Sequence, residues 1–420
     1  MQLKTAARRH YEAVISVGDR FFTQHASELA GACWGMARRF HVGGKLVIWA
    51  PAGAGFSDAQ HNAVEFIHPV IVGKRALPAM AVRERRQASL MLGPRDILME
   101  LEGARLRVMD QELCVDTDDL FVSQEILETA YHELWELVHV FFEHEGLLQE
   151  ACTDEVCLTC GDVALPAAIV HVEGSRALVR TVQGEEAAEI SLVEPVRPGD
   201  LVLVHGGVAL ERLKPIDEFS QEFYPFLSNQ AVDVPSVLAD VARSVCMKWD
   251  EVKNLRLVMD FGALDAALEA VTARVRQGGK VLAFGNGGSS TDAADLAADL
   301  LDRDVPAVDL SGEPSVITAV GNDIGFEEVF ARQVIALGAP GDVALGITTS
   351  GCSGNVTRAL QQAKRQGLLT VALAGYGGGA LKQEPAVDHL LVTDSTYIPR
   401  IQEAQATIYH ALVRGLEESR

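Results

Sequence analysis

Basic residues, long apolar runs and cysteines are all scarce in this sequence of 420 residues. Lys and Arg total 36 against 58 Asp and Glu, so the formal net charge is -22. A chain this acidic repels a polyphosphate backbone at long range, which excludes nucleic acid as an expected partner. No stretch reaches 18 apolar residues without a charge, and the start, MQLKTAARRHYEAVISVGDRFF, lacks the apolar core of a secretory signal. We therefore expect a cytoplasmic protein without a membrane partner.

Only seven cysteines are present, and four of them stand alone in the sequence. Cys152, Cys157 and Cys160 lie within nine residues. In a reducing compartment such a cluster indicates metal or thiolate chemistry more than a disulfide. The 48% of apolar residues excludes a disordered chain, and the length predicts two or three domains.

A sequence repeat with a spacing of about 235 residues divides the chain. Gly43-Gly44-Lys45 precedes the apolar run LVIW, and Gly278-Gly279-Lys280 precedes VLAF. Each run leads into a small-residue turn, PAGAGFSDAQ or GNGGSSTDAA, and then an Ala-rich helix. Each copy later has a helix that begins with Gln-Glu and carries a His eight positions after the Gln, QEILETAYH and QEAQATIYH. The sequence predicts one architecture, present twice.

The order of predicted elements indicates an α/β protein with three parts. In the second copy, buried apolar strands alternate with helices, which predicts a parallel sheet covered on both faces. Between the copies, short strands separated by turn residues predict a small all-β, OB-like barrel. We place a truncated copy at residues 1–148, the barrel at 149–216 and a full-length copy at 217–420.

Two turns of the second copy could bind an anion. GNGGS (residues 285–289) follows a strand and opens a helix, and TTSGCS (residues 348–353) does the same. Free N–H groups at a helix start favour a phosphate, and ligands of open α/β sheets bind where the strands end. A purely structural, glycine-rich turn is the alternative.

These motifs resemble the sugar isomerase (SIS) domain, specifically its phosphoheptose isomerase branch. The resemblance is carried by GNGGS, AVGNDIGFEEVF, GITTSGCSGNV and IPRIQEAQATIYH over residues 235–420, and more weakly by residues 1–148. It implies isomerisation of sedoheptulose 7-phosphate and a set of substrate-binding residues in the second copy. They are Asn286, Gly287, Gly288, Ser289, Asn322, Asp323, Thr348, Thr349, Ser350, Ser353 and Gln402.

The resemblance also implies a divalent metal, zinc in the first instance, held by a His and a Glu four apart together with a Gln and a His eight apart. The first copy has this set complete, and the second departs from it. The two sets are His61, Glu65, Gln124 and His132, and Asp295, Asp299, Gln402 and His410. The implied catalytic groups are Glu65, His132, His410 and Asp299. The alternative is that these are ordinary polar positions on helices.

The first copy keeps the metal ligands but has MLGPRDILMELEG where a Ser/Thr-rich phosphate turn would be expected. The second copy keeps that turn with altered ligands. A composite site is therefore possible only if Glu65 and His132 approach the turn at residues 348–353. Since members of the resembled family build their sites at subunit contacts, we expect the copies to pack as a pseudo-dimer and the chain to form a homo-oligomer.

The middle segment resembles the HypC-type chaperones of nickel-iron hydrogenase maturation, most clearly in PGDLVLVHGGVAL (residues 198–210). This resemblance implies iron bound by a Cys thiolate and a His, here Cys157 or Cys160 with His205. It also implies other hydrogenase maturation proteins and the hydrogenase large subunit as partners. A structural zinc on Cys157 and Cys160 with Cys152 and His171 is the alternative.

Three hypotheses follow. The chain is a hydrogenase maturation factor whose flanking domains bind a sugar phosphate or dock partners, or it is an active ketose-aldose isomerase. In the third, a sugar-phosphate reaction supplies a ligand to the iron.

Overall fold

The computed structural model describes residues 2–51, 54–69, 74–144, 147–148, 165–181, 184–193, 195–205, 208–213 and 233–418. The chain divides into two compact units. One unit joins Met1–Phe142 to Val234–Arg420 and so contains both copies of the repeat. The other is Glu143–Asp233 and contains the barrel.

The first copy is a five-stranded sheet with its helices. Helices α1 to α4 are Gln2–His41, Ala54–Ile67, Arg85–Met91 and Leu120–Glu143. Strands β1 to β5 are Leu46–Trp49, Ala79–Val82, Ile97–Glu102, Arg105–Val108 and Gln111–Cys114. The sheet order is β2-β1-β3-β4-β5, parallel at β2-β1-β3 and antiparallel beyond. The first copy therefore differs from the second by a replacement. The antiparallel strands β4 and β5 occupy the positions where further parallel strands would continue the sheet.

The second copy has the full parallel sheet. Helices α5 to α11 are Val234–Leu257, Phe261–Arg276, Gly288–Leu301, Pro314–Asp323, Val329–Leu337, Gly354–Arg365 and Ile398–Glu418. Strands β11 to β15, numbered after the barrel, are Val281–Gly285, Ala307–Asp309, Val343–Thr348, Leu369–Ala374 and His389–Val392. The order is β12-β11-β13-β14-β15, with every pairing parallel. The central strands are buried on both faces, as continuous apolar runs require.

One local contact appears in both copies and supports the duplication. The carboxylate of Asp96, just before β3, accepts from the backbone N–H of Lys45 at 2.9 Å and pairs with its ammonium group. Asp342, just before β13, does the same with Lys280, at 3.0 Å from the backbone nitrogen. The sheet order and this contact together show that β1 corresponds to β11 and β3 to β13.

The barrel closes from five strands in the order β10-β8-β7-β6-β9. Strands β6 to β10 are Leu165–Glu173, Arg176–Thr181, Gly184–Glu189, Leu201–His205 and Val208–Leu213. Its core is small and aliphatic, with Ile169, Val179, Ile190 and Val202 almost fully buried. The predicted barrel is confirmed.

Helices of the two copies pack directly against each other. Helix α1 contacts α5 and α11, and α2 contacts α7. At Gly18 on α1 the contact is so close that an added Cβ would lie 2.0 Å from the Trp249 ring on α5. One hydrophobic core contains Tyr11 and Phe121 of the first copy with Leu264 and Leu412 of the second.

The α/β class with two sheets and a β-barrel is thus confirmed. Within the described residues, no helix is long and apolar enough to cross a membrane. The domain boundaries at residues 148 and 216 stay predictions.

Candidate functional site

Two polar clusters lie where α2 and α4 of the first copy meet α7 and α11 of the second. We call the first cluster site A, defined by His61, Glu65, Glu128, His132 and Gln402. We call the second site B, defined by Asp58, Gln124, Asp295, Asp299 and His410. His61 of site A corresponds to Asp295 of site B, and Glu65 corresponds to Asp299. Each pair follows the small-residue turn of its own copy at the same spacing.

Site A combines side chains of both copies. Nε2 of His61 lies 3.3 Å from Nε2 of His132 and 3.0 Å from Nε2 of Gln402. Oε1 of Glu65 is 3.9 Å from the same His61 nitrogen. The two His residues and Glu65 come from the first copy, and Gln402 comes from the second. The ligand atoms of His61, Glu128 and His132 all lie within 4.8 Å of one another.

Gly288, the first residue of α7, lies against site A. An added Cβ at this position would be 2.0 Å from Gln402 Nε2 and 2.5 Å from His61 Nε2. Only glycine leaves room here for both side chains. The preceding Gly287 has φ +57°, a conformation that favours glycine, so the chain turns sharply into the helix at this point.

The electrostatics of site A favour a cation. Burial lowers the pKa of His61 well below its ordinary value, and His132 lowers it further, so His61 is neutral and keeps a lone pair. Burial raises the pKa of Glu65, against the opposing effects of His132 and Gln402. Oε2 of Glu65, Oε1 of Gln402 and Oε1 of Glu128 are buried without a hydrogen-bond partner. Imidazole nitrogens with unpaired oxygens are a donor set that suits a divalent transition metal.

The Ser/Thr-rich turn lies beside site A, because β13 pairs with β11 and both strands end at the same edge. Oγ1 of Thr348 is 3.0 Å from Oγ of Ser353, and Ser350 Oγ accepts from the backbone N–H of Cys352 at 3.1 Å. Gln405, three residues after Gln402 on α11, donates to the carbonyl of Thr348 at 3.2 Å. Helix α11 therefore contacts site A through Gln402 and the Ser/Thr-rich turn through Gln405, one helical turn later.

Asn286 is held between the two turns. Its carboxamide exchanges hydrogen bonds with that of Asn355, at 2.9 and 2.8 Å. Ser289 is buried in the first turn of α7. Thr349 anchors its own turn, because its carbonyl accepts from the backbone N–H of Gly375 at 2.9 Å.

Site B is a different environment. Nε2 of His410 lies 3.5 Å from Oδ2 of Asp299, and Gln124 donates to Asp58 at 3.4 Å. Burial alone would lower the pKa of His410, but Asp299 and Glu125 outweigh it and raise the pKa to about 9. Burial raises the pKa of Asp58 to about 7, and that of Asp295 rises well above its ordinary value. The carboxylates around His410 therefore favour its protonated form.

Each site His is oriented by a Glu of the other copy. Nδ1 of His132 is 3.0 Å from Oε1 of Glu403, and Nδ1 of His410 is 2.8 Å from Oε1 of Glu125. Glu125 also accepts from Nε2 of His10 at 2.6 Å. These reciprocal pairs leave Nε2 of each His directed into its own site.

Each glutamine lies at the site opposite to the one predicted for it from the sequence. Gln402 joins His61 and His132 at site A, while Gln124 joins the Asp residues at site B. Asn322 and Asp323 are exposed at the end of α8 and hydrogen-bond to each other at 2.8 Å. Among the described residues, neither donates to or accepts from a site A side chain.

The predicted iron ligands cannot be placed. Cys157 and Cys160 lie outside the described residues, as does the alternative zinc ligand Cys152. The backbone of His205 ends β9, and its side chain lies outside what the structure describes.

Glu128 and Glu403 line the two sites but are not among the residues predicted from the sequence. Glu128 is four residues after Gln124 and four before His132, so helical spacing alone places it on the same face. Glu403 follows Gln402 in the Gln-Glu pair that both copies share. The pair was visible in the sequence, but its role depends on a contact between copies.

Comparison with known proteins identifies two families in the chain. Residues 253–375 match the family model described as "SIS domain", and residues 163–219 match the "HupF/HypC family" model. A phosphoheptose isomerase of Solidesulfovibrio magneticus is 44% identical over 157 residues, covering 36% of this chain and 76% of the relative. One from Nitratiruptor is 41% identical over 177 residues, covering 41% of this chain and 89% of the relative.

Solved structures include a phosphoheptose isomerase from Francisella tularensis, 34% identical, with a TM-score of 0.40, covering 43% of this chain and 98% of that one. The fold defines a protein of the SIS class, in which two α/β halves meet. Within that class, the chain belongs to the phosphoheptose isomerase family and additionally carries a HupF/HypC-family domain.

Proposed function

We propose that site A is the active site of a sugar-phosphate isomerase that interconverts a ketose and an aldose. The observation that carries the proposal is the approach of Gln402 and Gly288 of the second copy to His61 of the first. This approach supports a site that combines the proposed ligands and base of one copy with the proposed phosphate turn of the other. Neither copy has both parts.

In this proposal the substrate phosphate binds at Thr348, Thr349, Ser350 and Ser353, where hydroxyls and backbone N–H groups at the start of α10 favour an anion. Asn286 and Ser289 would orient the sugar. Asn322 and Asp323, which are exposed at the end of α8, have no assigned role in this proposal.

Glu65 is the proposed base. Its carboxylate removes the proton from the carbon beside the carbonyl and returns it to the neighbouring carbon, and a raised pKa favours both steps. His132, held by Glu403, moves the hydroxyl proton between the two oxygens. A divalent ion, zinc in the first instance, would be held at site A and would polarise the carbonyl.

Site B is not a second isomerase site in this proposal. The strand that corresponds to β13 is β3, which runs through Gly103 into the β4 hairpin instead of a turn and a helix. No Ser/Thr-rich turn therefore follows it. Nδ1 of His410 is paired with Glu125 and its Nε2 with Asp299, so both ring nitrogens already have carboxylate partners.

Deuterium exchange tests the proposal. Sedoheptulose 7-phosphate in D2O should gain deuterium beside its carbonyl and convert to the aldose when the full chain is added, as followed by NMR. Glu65→Gln should reduce exchange by at least about a hundredfold, the usual contribution of general base catalysis. Asp299→Asn, the matched change at site B, should retain it. Equal loss in both variants, or no exchange in the unaltered chain, would overturn the assignment.

The HupF/HypC-family domain supports a second function, hydrogenase metallocentre assembly. A closed five-stranded barrel at residues 165–213 and the family match at 163–219 are the observations that favour it. Here iron would be the cargo of Cys157 or Cys160 with His205, and the hydrogenase large subunit and other maturation proteins would be the partners. Soft thiolate ligands suit such a metal.

Protein purified without oxygen should then contain iron and show infrared bands of diatomic ligands. Those bands should disappear in Cys157→Ala or in Cys160→Ala. If the unaltered protein contains no iron, and both variants isomerise the sugar phosphate as the unaltered protein does, only the first function would remain.

A further inference from the structure

A small cavity lies between the two copies, and its lining residues are not those of site A or site B. It is lined by Tyr11 of α1, Arg256 near the end of α5, Thr393 after β15 and apolar side chains of α11. Its volume is about 30 Å³, so it admits a single small ligand. Val258 and Asp394, which are exposed, also line it, and the cavity is therefore reached from the surface.

Three polar side chains that line this cavity each have an atom without a hydrogen-bond partner in the described part of the chain. The atoms are Oη of Tyr11, Nη1 of Arg256 and Oγ1 of Thr393. The three residues are only 3%, 1% and 5% exposed. An unpaired polar group is costly in a protein interior, and three of them around one cavity point to a ligand that they share.

The donors determine what kind of ligand fits. A guanidinium only donates hydrogen bonds, and both hydroxyls can donate as well. Nε of Arg256 already donates to Thr407 Oγ1 at 2.8 Å, and Nη2 donates to the carbonyl of Glu403 at 3.0 Å. Nη1 is the nitrogen that remains for the cavity, so the ligand has to be an acceptor.

The positive charge of Arg256 has only a shared carboxylate beside it. Glu125 lies 3.6 Å from Nη2, but the same carboxylate also pairs with His10 at 2.6 Å and with His410 at 2.8 Å. Burial lowers the pKa of Arg256, against the opposing effects of Glu125 and Glu403. A negative charge next to Nη1 would therefore stabilise the buried guanidinium.

The size of the cavity restricts the anion to a monatomic one. A phosphate or a carboxylate-bearing metabolite is too large for about 30 Å³, whereas a halide ion is only slightly larger than a water oxygen. Asp394 is the acidic residue among those that line the cavity. It is exposed, so solvent screens its repulsion of an anion.

We propose that this cavity binds one monatomic anion, chloride in the first instance, through Nη1 of Arg256 and the hydroxyls of Tyr11 and Thr393. Arg256 also donates to Thr407 and Glu403 of α11, so the bound anion would stabilise the packing of α1, α5 and α11. The proposal does not depend on the isomerase function.

Bromide is the probe in crystals, because it replaces chloride and scatters X-rays anomalously. Crystals of the full chain grown in bromide should show an anomalous peak in the cavity. In solution, the thermal unfolding midpoint should be higher in chloride than in gluconate at equal ionic strength. Gluconate is too large for the cavity, and an ion that binds only the folded state stabilises that state.

Tyr11→Phe and Thr393→Val each remove one hydroxyl with little change of shape. Each should weaken chloride binding by at least about tenfold, the usual effect of losing a hydrogen bond to a charged group, as measured by the dependence of the unfolding midpoint on chloride concentration. Each should also reduce the bromide peak. Circular dichroism confirms the fold, and either variant suffices if the other does not fold.

Thr272→Val is the matched control. Its Oγ1 is likewise buried without a hydrogen-bond partner among the described residues, but Thr272 lies on α6 and does not line the cavity. This variant should keep the bromide peak and the chloride effect. Asp394→Asn removes the carboxylate on the solvent side and should bind chloride at least as tightly as the unaltered chain.

A crystal of the unaltered chain without a bromide peak in the cavity would overturn the proposal, and so would a peak that both hydroxyl variants retain in full. Equal unfolding midpoints in chloride and gluconate, despite a peak, would show binding at crystal concentration only and would overturn it as well. An equal loss of the chloride effect in Thr272→Val would show that the effect does not come from this cavity.

Discussion

Nε2 of Gln402 lies 3.0 Å from Nε2 of His61, although the two residues belong to different copies of the repeat. In the proposed isomerase, this contact would join the two copies into one active site. The proposed ligands, base and phosphate turn would then need to be complete only once per chain.

Gly288→Ala should disable site A without unfolding the protein. The new methyl group would lie 2.0 Å from Gln402 Nε2 and 2.5 Å from His61 Nε2, so both side chains must move. A displacement of about 1 Å at a reacting centre costs about a hundredfold in rate. Turnover and Co²⁺ affinity should both fall, and thermal unfolding should remain cooperative.

The matched control is Gly321→Ala in α8. An added Cβ there would meet Val329 only at 3.9 Å, an ordinary contact. This variant should keep its turnover. A similar loss in both variants would show that the crowding at Gly288 is not the cause.

Glu403→Gln should weaken Co²⁺ binding at site A by about 10- to 100-fold, the usual effect of removing a group that orients a ligating His. The amide no longer gives His132 a charged acceptor at Nδ1. Glu125→Gln makes the same change to His410 and should leave Co²⁺ affinity unchanged. Isothermal titration of both variants measures the difference, and a loss in the Glu125 variant would contradict the separation of the two sites.

Gly18→Ala should destabilise the packing of α1 on α5. The Cβ would overlap the Trp249 ring at 2.0 Å, and overpacking of this kind costs about 1 to 3 kcal/mol. Gly31→Ala on the same helix has nothing within 4 Å and should be neutral or stabilising by up to about 1 kcal/mol, because Ala favours a helix. Urea denaturation of both variants tests this, and equal stabilities would contradict the close contact.

Arg256→Met should be strongly destabilising. The guanidinium is 1% exposed and donates to Thr407 Oγ1 at 2.8 Å and to the carbonyl of Glu403 at 3.0 Å, with Glu125 at 3.6 Å. Removal of one partner from a buried charge pair costs about 3 to 5 kcal/mol. Arg243→Met, which breaks an exposed pair with Asp240, should change the free energy of unfolding by less than about 1 kcal/mol.

The stability of the protein should decrease as pH rises through about 9. Burial opposes protonation of His410, but Asp299 and Glu125 raise its pKa to about 9, above the ordinary 6.5. Its stabilising effect is therefore complete below pH 6.5 and is lost as the folded protein releases the proton. The full effect is on the order of 3 kcal/mol. Unfolding midpoints between pH 6 and 10 measure it, and His410→Gln should lack this slope.

The sequence by itself determined the α/β class, the repeat, the β-barrel and the residue types at each site. It did so because apolar periodicity, glycine turns and helical spacing are local properties of the chain. The spacing of His61 and Glu65 placed both on one face of α2, and the strand-turn-helix pattern placed Thr348–Ser353 at the edge of a sheet.

Only the tertiary structure decided how these parts combine. The exchange of Gln124 and Gln402 arises where helices of the two copies cross. So do the reciprocal pairs of His132 with Glu403 and of His410 with Glu125. Such contacts depend on the packing of residues that lie hundreds of positions apart. No local pattern in the sequence predicts which side chains of the other copy a residue will contact.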